Sequence, residues 1–198
     1  AYSVSLFLGV ICAFLLIGFL QSRIEKRTGA VIFYMLSLVI GLSPYLLRFA
    51  GWFPENNQPL LIPLLFTLVT IGNGFAVAGG MLTQSMGADI IEASQERTGE
   101  RTEGLFFSAY FFTQKCATGI GIFLAGTIIS ASRFPAKATP GEVPQAILDQ
   151  FALYFVITAA VISISAITAI SRFPISRADH ERRIANLAGS GPGPGGTT

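Results

Sequence analysis

The sequence predicts an all-α membrane protein, and three observations predict it. Five apolar stretches, at about residues 2–20, 29–51, 59–87, 104–131 and 149–171, are each long enough to cross a hydrocarbon core of about 30 Å as a helix. Charged residues make up 12% of the chain, about half the share of an ordinary soluble domain. No short alternating stretches of the kind a transmembrane barrel requires are present. Backbone groups in lipid must then be paired within helices.

The elements follow in order. The first span, 2–20, opens almost directly after Ala1, with no methionine, no basic segment before it and no small-residue cleavage site after it. It is also too long for the apolar core of a signal peptide. The expectation is a chain that begins partway through a longer protein. The connection Gln21–Thr28 carries Arg23, Lys26 and Arg27, and leads into the second span, 29–51. The next connection, Trp52–Gln58, carries no basic residue, although Arg48 lies near that membrane edge. The third span, 59–87, is marked by Gly72, Gly74, Gly79 and Gly80, and the fourth, 104–131, by Gly119, Gly121 and Gly126. Small residues there allow close helix packing or bends that line a cavity. Between these spans lies a polar loop, 87–104, with Arg97 and Arg101. A Pro-containing loop with Arg133 and Lys137 precedes the fifth span, 149–171. The division is therefore a transmembrane bundle, 1–175, and a tail, 176–198. In the tail, 176–188 suit a short charged surface helix, and the low-complexity run 189–198 is expected to be disordered.

Of the 13 basic residues, nine fall on the side holding the first and third connections and the tail, three fall on the other side, and Lys115 lies within a span. The positive-inside rule makes the richer side, and with it the C-terminus, cytoplasmic. The expected location is a plasma (inner) membrane.

Composition excludes several functions. A net charge of +2 with no basic stripe gives no reason to expect nucleic acid as a partner. Cys12 and Cys116 lie in apolar runs and read as small buried hydrophobes, and the one histidine, His180, sits in the charged tail, so no metal site is expected. No nucleophile–base pair or Gly-rich phosphate loop is present, so the chain does not read as an enzyme, and no cofactor is expected.

Lys115 is the most informative residue. It lies about 12 residues, or roughly 18 Å, into the fourth span, near the bilayer middle. A lysine there costs at least about 2.5–3.5 kcal/mol. It should face a cavity, a carboxylate or a bound solute, yet all 11 acidic residues lie in loops, at span ends or in the tail. A counter-charge would have to come from a ligand, a neighbouring subunit or a part of the polypeptide outside this sequence. The plain alternative is a neutral lysine with a structural role. Gln114 and Tyr110 lie close by, and a polar and an aromatic group beside a midplane charge suit a sugar site, where hydroxyls are hydrogen-bonded and rings stack. Both equally suit packing.

The loop 87–104 holds Asp89, Glu92, Arg97, Arg101 and Glu103 at close spacing. Read by itself it is a solvated loop of weak ion pairs, each worth ~0–1 kcal/mol. In a transporter, such a loop can latch the cytoplasmic side and release as the two halves rock.

The run Ala88-Asp89-x-x-Glu92, then Arg97-Thr98-Gly99-x-Arg101-x-Glu103-Gly104-Leu105-Phe106-Phe107, then Lys115 resembles the signature between the tenth and eleventh helices of the melibiose permease-like glycoside–pentoside–hexuronide:cation symporters, a group within the major facilitator superfamily. Phe173–Glu181 resembles the end of that group's last helix. The resemblance covers nearly the whole chain and implies that its spans correspond to helices 8–12 of a twelve-helix transporter. It implies that Lys115 sits by the coupling-cation (Na+ or H+) and sugar sites, with its carboxylate partners on N-terminal helices. The chain departs from the pattern at Ala93, where a tyrosine is common, at Glu92, where an aspartate is common, and at the aromatic pair Tyr110 and Phe111. The function so implied is symport of a sugar by alternating access. The alternatives are a non-sugar solute such as a lipid, or a membrane scaffold or assembly subunit that transports nothing.

Overall fold

The computed structural model describes residues 2–20, 24–55, 58–99, 103–135, 137–139 and 142–172. Among them it holds five helices and no strand: α1 Tyr2–Leu20, α2 Lys26–Phe49, α3 Leu61–Thr98, α4 Glu103–Ala131 and α5 Gln145–Ser171. Four helices are long and apolar enough to cross a membrane: Lys26–Phe49, Leu61–Gln95, Glu103–Ala131 and Gln145–Ser171. α1 contains a shorter apolar stretch, Ser3–Phe19.

α3 organises the bundle. It packs along both α1 and α2, α5 rests on α2, and α4 touches α5 lightly. The small core lies where the first three helices meet, around Ala13, Ala30, Phe33, Ala78 and Leu82. Elsewhere large apolar side chains face outward, among them Phe7, Phe14, Leu15, Phe112 and Phe123. A bilayer would cover them, so a chain of this kind has little need of a water-excluding core.

Glycines set the α1–α3 and α2–α3 spacing. A Cβ on Gly74 would lie 3.3 Å from the Gly9 carbonyl oxygen, and one on Gly79 would meet the Tyr34 ring at 3.1 Å. The α4 glycines behave otherwise. Around Gly119, Gly121 and Gly126 nothing lies within 4 Å of an added Cβ, so the close packing expected of them is absent from this bundle. Cys12 and Cys116 are exposed, which corrects their reading as buried residues. Cys12 has its Cβ beside Gly74 of α3, and Cys116 follows Lys115 on α4.

Pro44 stands inside α2 and cannot donate to the carbonyl of Ile40. The Ser43 hydroxyl donates to that oxygen at 2.7 Å, so the acceptor stays paired where water is scarce.

The segment 87–104, read as a loop, is mostly helix. α3 runs on to Thr98 and stops at Gly99, whose φ of 70° and N–H bond to the Gln95 carbonyl cap the helix. Its 38 residues span about 57 Å, nearly twice the hydrocarbon core. Its last turns hold contacts with the rest of the bundle, since Ile91 is buried and Asp89 pairs with Lys26. The tail expectations for 176–188 and 189–198, and the segment Phe173–Glu181, lie outside the described residues.

Candidate functional site

α4 presents the midspan group. Lys115 lies within two residues of the middle of Glu103–Ala131, and its side chain is exposed. Among the described residues it makes no ion pair or hydrogen bond. Tyr110 and Gln114 stand four apart and so share a face, and the Gln114 amide donates to the Tyr110 hydroxyl oxygen at 2.9 Å. At 100° per residue Lys115 is turned about 100° from Gln114 and about 140° from Tyr110. The three therefore span a broad arc of α4 instead of one stripe.

The surrounding hydroxyls are engaged within the helix. Ser108 donates to the Gly104 carbonyl at 2.7 Å, Thr113 to Ala109 at 2.9 Å and Thr118 to Gln114 at 2.9 Å. The Tyr110 hydroxyl proton, the remaining amide proton and carbonyl oxygen of Gln114, and the Lys115 ammonium are left to engage something outside α4. These are one cation, donors and an acceptor over one turn and a half, set beside the Tyr110 and Phe111 rings, which meet edge to face at 5.6 Å. Such a set can hydrogen-bond a polyol and stack against its apolar face.

A second polar group lies where α2 begins and α3 leaves the apolar zone. Lys26, the first residue of α2, donates to both carboxylate oxygens of Asp89 at 2.8 Å. Beside it the Thr28 hydroxyl donates to one Glu25 carboxylate oxygen at 3.4 Å, while the other is buried with no partner among the described residues. Asp89 thus meets a base at the start of α2, a residue whose charge in the sequence bears only on membrane orientation. Glu92 is exposed one turn further along α3. Arg97 lies in the last turns of α3, Glu103 opens α4 and is engaged, and Arg101 is outside the described residues.

Sequence reasoning also passed over Asn73. It lies in the apolar part of α3, near Gly9 of α1, and its side-chain nitrogen is buried without a hydrogen bond among the described residues. Close by, Thr70 donates to the Phe66 carbonyl at 2.7 Å, and its oxygen lies 3.0 Å from the hydroxyl of fully buried Ser5. The signal was available: an amide inside an apolar span is costly for the same reason that a lysine is. For Lys26 there was no such signal, because its partner is 63 residues away.

A family model described as MFS/sugar transport protein matches residues 1–177. An uncharacterized symporter of Synechocystis is 33% identical over 129 residues, which is 62% of this chain and 23% of the relative. The glucuronide carrier protein homolog of Escherichia coli is 29% identical over 140 residues, which is 71% of this chain and 28% of the relative. The aligned chain spans about a quarter of the length of these relatives. No solved structure matches it.

Proposed function

Because this multi-pass membrane chain belongs to the MFS/sugar transport protein family, we propose that it is the part of a sugar:cation symporter carrying helices 8–12 and one wall of its solute site. The observation that carries this reading is Lys115 at mid-helix, exposed on α4 beside the hydrogen-bonded Tyr110–Gln114 pair. A cation at that depth is expensive without a purpose. α4 also buries no side chain in this bundle, so all three groups are open to a solute or to further helices. The names of the two relatives, a symporter and a glucuronide carrier homolog, support the same class.

In the proposed mechanism a sugar binds against α4, hydrogen-bonded by Gln114, Tyr110 and Lys115. Lys115 competes with the coupling cation, Na+ or H+, for carboxylates supplied by helices outside this chain. Charge then ties the occupancy of the cation site to that of the sugar site. At the end taken as cytoplasmic, the Lys26–Asp89 pair fixes the α3 extension to α2. From that platform Glu92, Arg97, Arg101 and Glu103 meet the other half of the transporter and part from it as the halves rock.

The test is uptake of a labelled glycoside, pentoside and hexuronide panel into vesicles holding the full-length protein, under imposed sodium or proton gradients. Gradient-driven uptake of one sugar class, lost in Lys115→Ala, is expected. Uptake unchanged in that variant would remove Lys115 from the mechanism. Absence of sugar uptake by correctly inserted protein would overturn the proposed substrate.

A further inference from the structure

We propose that the groove between α2, α3 and α5 binds one anionic phospholipid, taken from the leaflet on the side of the α2–α3 connection. The groove measures about 480 Å³ and is lined by Ser37, Gly41, Tyr45 and Arg48 of α2 and by Leu65 and Val69 of α3, among others. Phe155 of α5 closes one side, its ring 5.4 Å from that of Tyr45.

Three features select a lipid. The first is length. Ser37 and Arg48 bound the groove along α2 and are 11 residues apart, which is about 16 Å of helix. That is the depth of one leaflet of a hydrocarbon core of about 30 Å. The second is the wall, which is mostly apolar and includes Gly41 and Gly72, whose backbones are close enough that a Cβ on Gly72 would lie 3.9 Å from the Gly41 Cα. An acyl chain can lie against backbone there. The third is charge at the mouth. Arg48 stands in the last turn of α2, beside Phe53 of the groove and exposed Trp52, aromatics of the kind that mark headgroup depth. A guanidinium carries five donors, so Arg48, though already engaged within the chain, has donors for a phosphate as well.

α4 contributes nothing to this groove. The proposal therefore stands apart from the sugar site, and either can fail without the other.

The test places a bimane fluorophore at Leu65→Cys, and separately at Val69→Cys, in otherwise cysteine-free full-length protein. The protein is reconstituted in phosphatidylcholine vesicles with increasing mole fractions of a dibrominated lipid, whose bromines quench on contact. Dibromo-phosphatidylglycerol should quench at about a fivefold lower mole fraction than dibromo-phosphatidylcholine, the selectivity expected of one basic residue at a membrane surface. Arg48→Gln should erase the difference and Arg48→Lys should retain most of it. Equal quenching by both lipids in the unmodified groove would mean bulk bilayer contact and would overturn the proposal. No quenching by either would mean that polypeptide fills the groove, and would overturn it too.

Discussion

Breaking the Lys26–Asp89 pair should loosen the α3 extension by a small amount that either substitution alone removes in full. The ammonium lies 2.8 Å from both carboxylate oxygens, so the geometry is good. The side chains are 38% and 41% exposed, however, and water screens much of the attraction. Unit charges about 4 Å apart attract by about 1 kcal/mol in bulk water and about 4 kcal/mol at an effective dielectric of 20. Holding two flexible side chains in place offsets most of this, and measured exposed pairs come to ~0.2–1 kcal/mol. That is a factor of about 1.4–5 in a local opening equilibrium. The assay is hydrogen exchange of the backbone amides of residues 90–98 in the full-length protein. Asp89→Asn and Lys26→Gln should each speed exchange by that factor, and the double substitution should add little. The exchanged pair, Lys26→Asp with Asp89→Lys, should recover most of the protection, and raising the salt should shrink every difference. Additive single effects, or no recovery on exchange, would refute the claim that this pair holds the extension.

Three further outcomes follow from the geometry. Gly74→Val should destabilise the protein by about 1–3 kcal/mol through overpacking against the Gly9 carbonyl and Cys12. Ser43→Ala should cost about 1–3 kcal/mol by leaving the Ile40 carbonyl unpaired above Pro44. The double change Ser43→Ala with Pro44→Ala should recover much of that loss in the same melting assay. Tyr110→Phe and Gln114→Leu should each weaken binding of the transported solute about two- to tenfold, the range of one lost hydrogen bond, as read by competition against labelled solute. No effect from either would place the pair outside the solute site.

The helices were legible because lipid makes a coarse demand: about 20 residues without charge. Lys115 was legible because it breaks that demand. Asn73 breaks it too, more weakly, because an amide is cheaper to bury than an ammonium. The α3 extension was not legible. Residues 88–98 mix seven polar residues with Ala88, Ile90, Ile91 and Ala93, and such a mixture alone does not separate a solvated loop from a half-buried helix. Ile91 is buried in the folded chain, but the ion-pair partner of Asp89 is 63 residues distant, and no period in the sequence encodes it. Gly119, Gly121 and Gly126 show the opposite failure. Their composition matches that of Gly72, Gly74 and Gly79, yet one set lies against neighbouring helices and the other lies open. Residue type permits close approach without choosing a partner.

The helices therefore differ in how firmly they are held, and this bears on any motion. α3 is a single helix from Leu61 to Thr98, carrying Asn73 in its apolar part and Asp89 in its extension. It lies against Gly9 on one side and Gly41 and Tyr34 on the other. Tight, small-residue contacts resist sliding, because any shift opens voids or forces backbone against backbone. A displacement at Asp89 must then move the midspan of α3 with it, and α1 and α2 follow as one block. α4 carries Lys115 and is held by no such contacts, apart from Phe106 against Gly87 near its start. The residue with the highest electrostatic stake thus sits on the helix that this bundle constrains least. On the proposed reading, the position of Lys115 is fixed from the far side of α4, through the solute, the coupling ion or the helices that α4 faces.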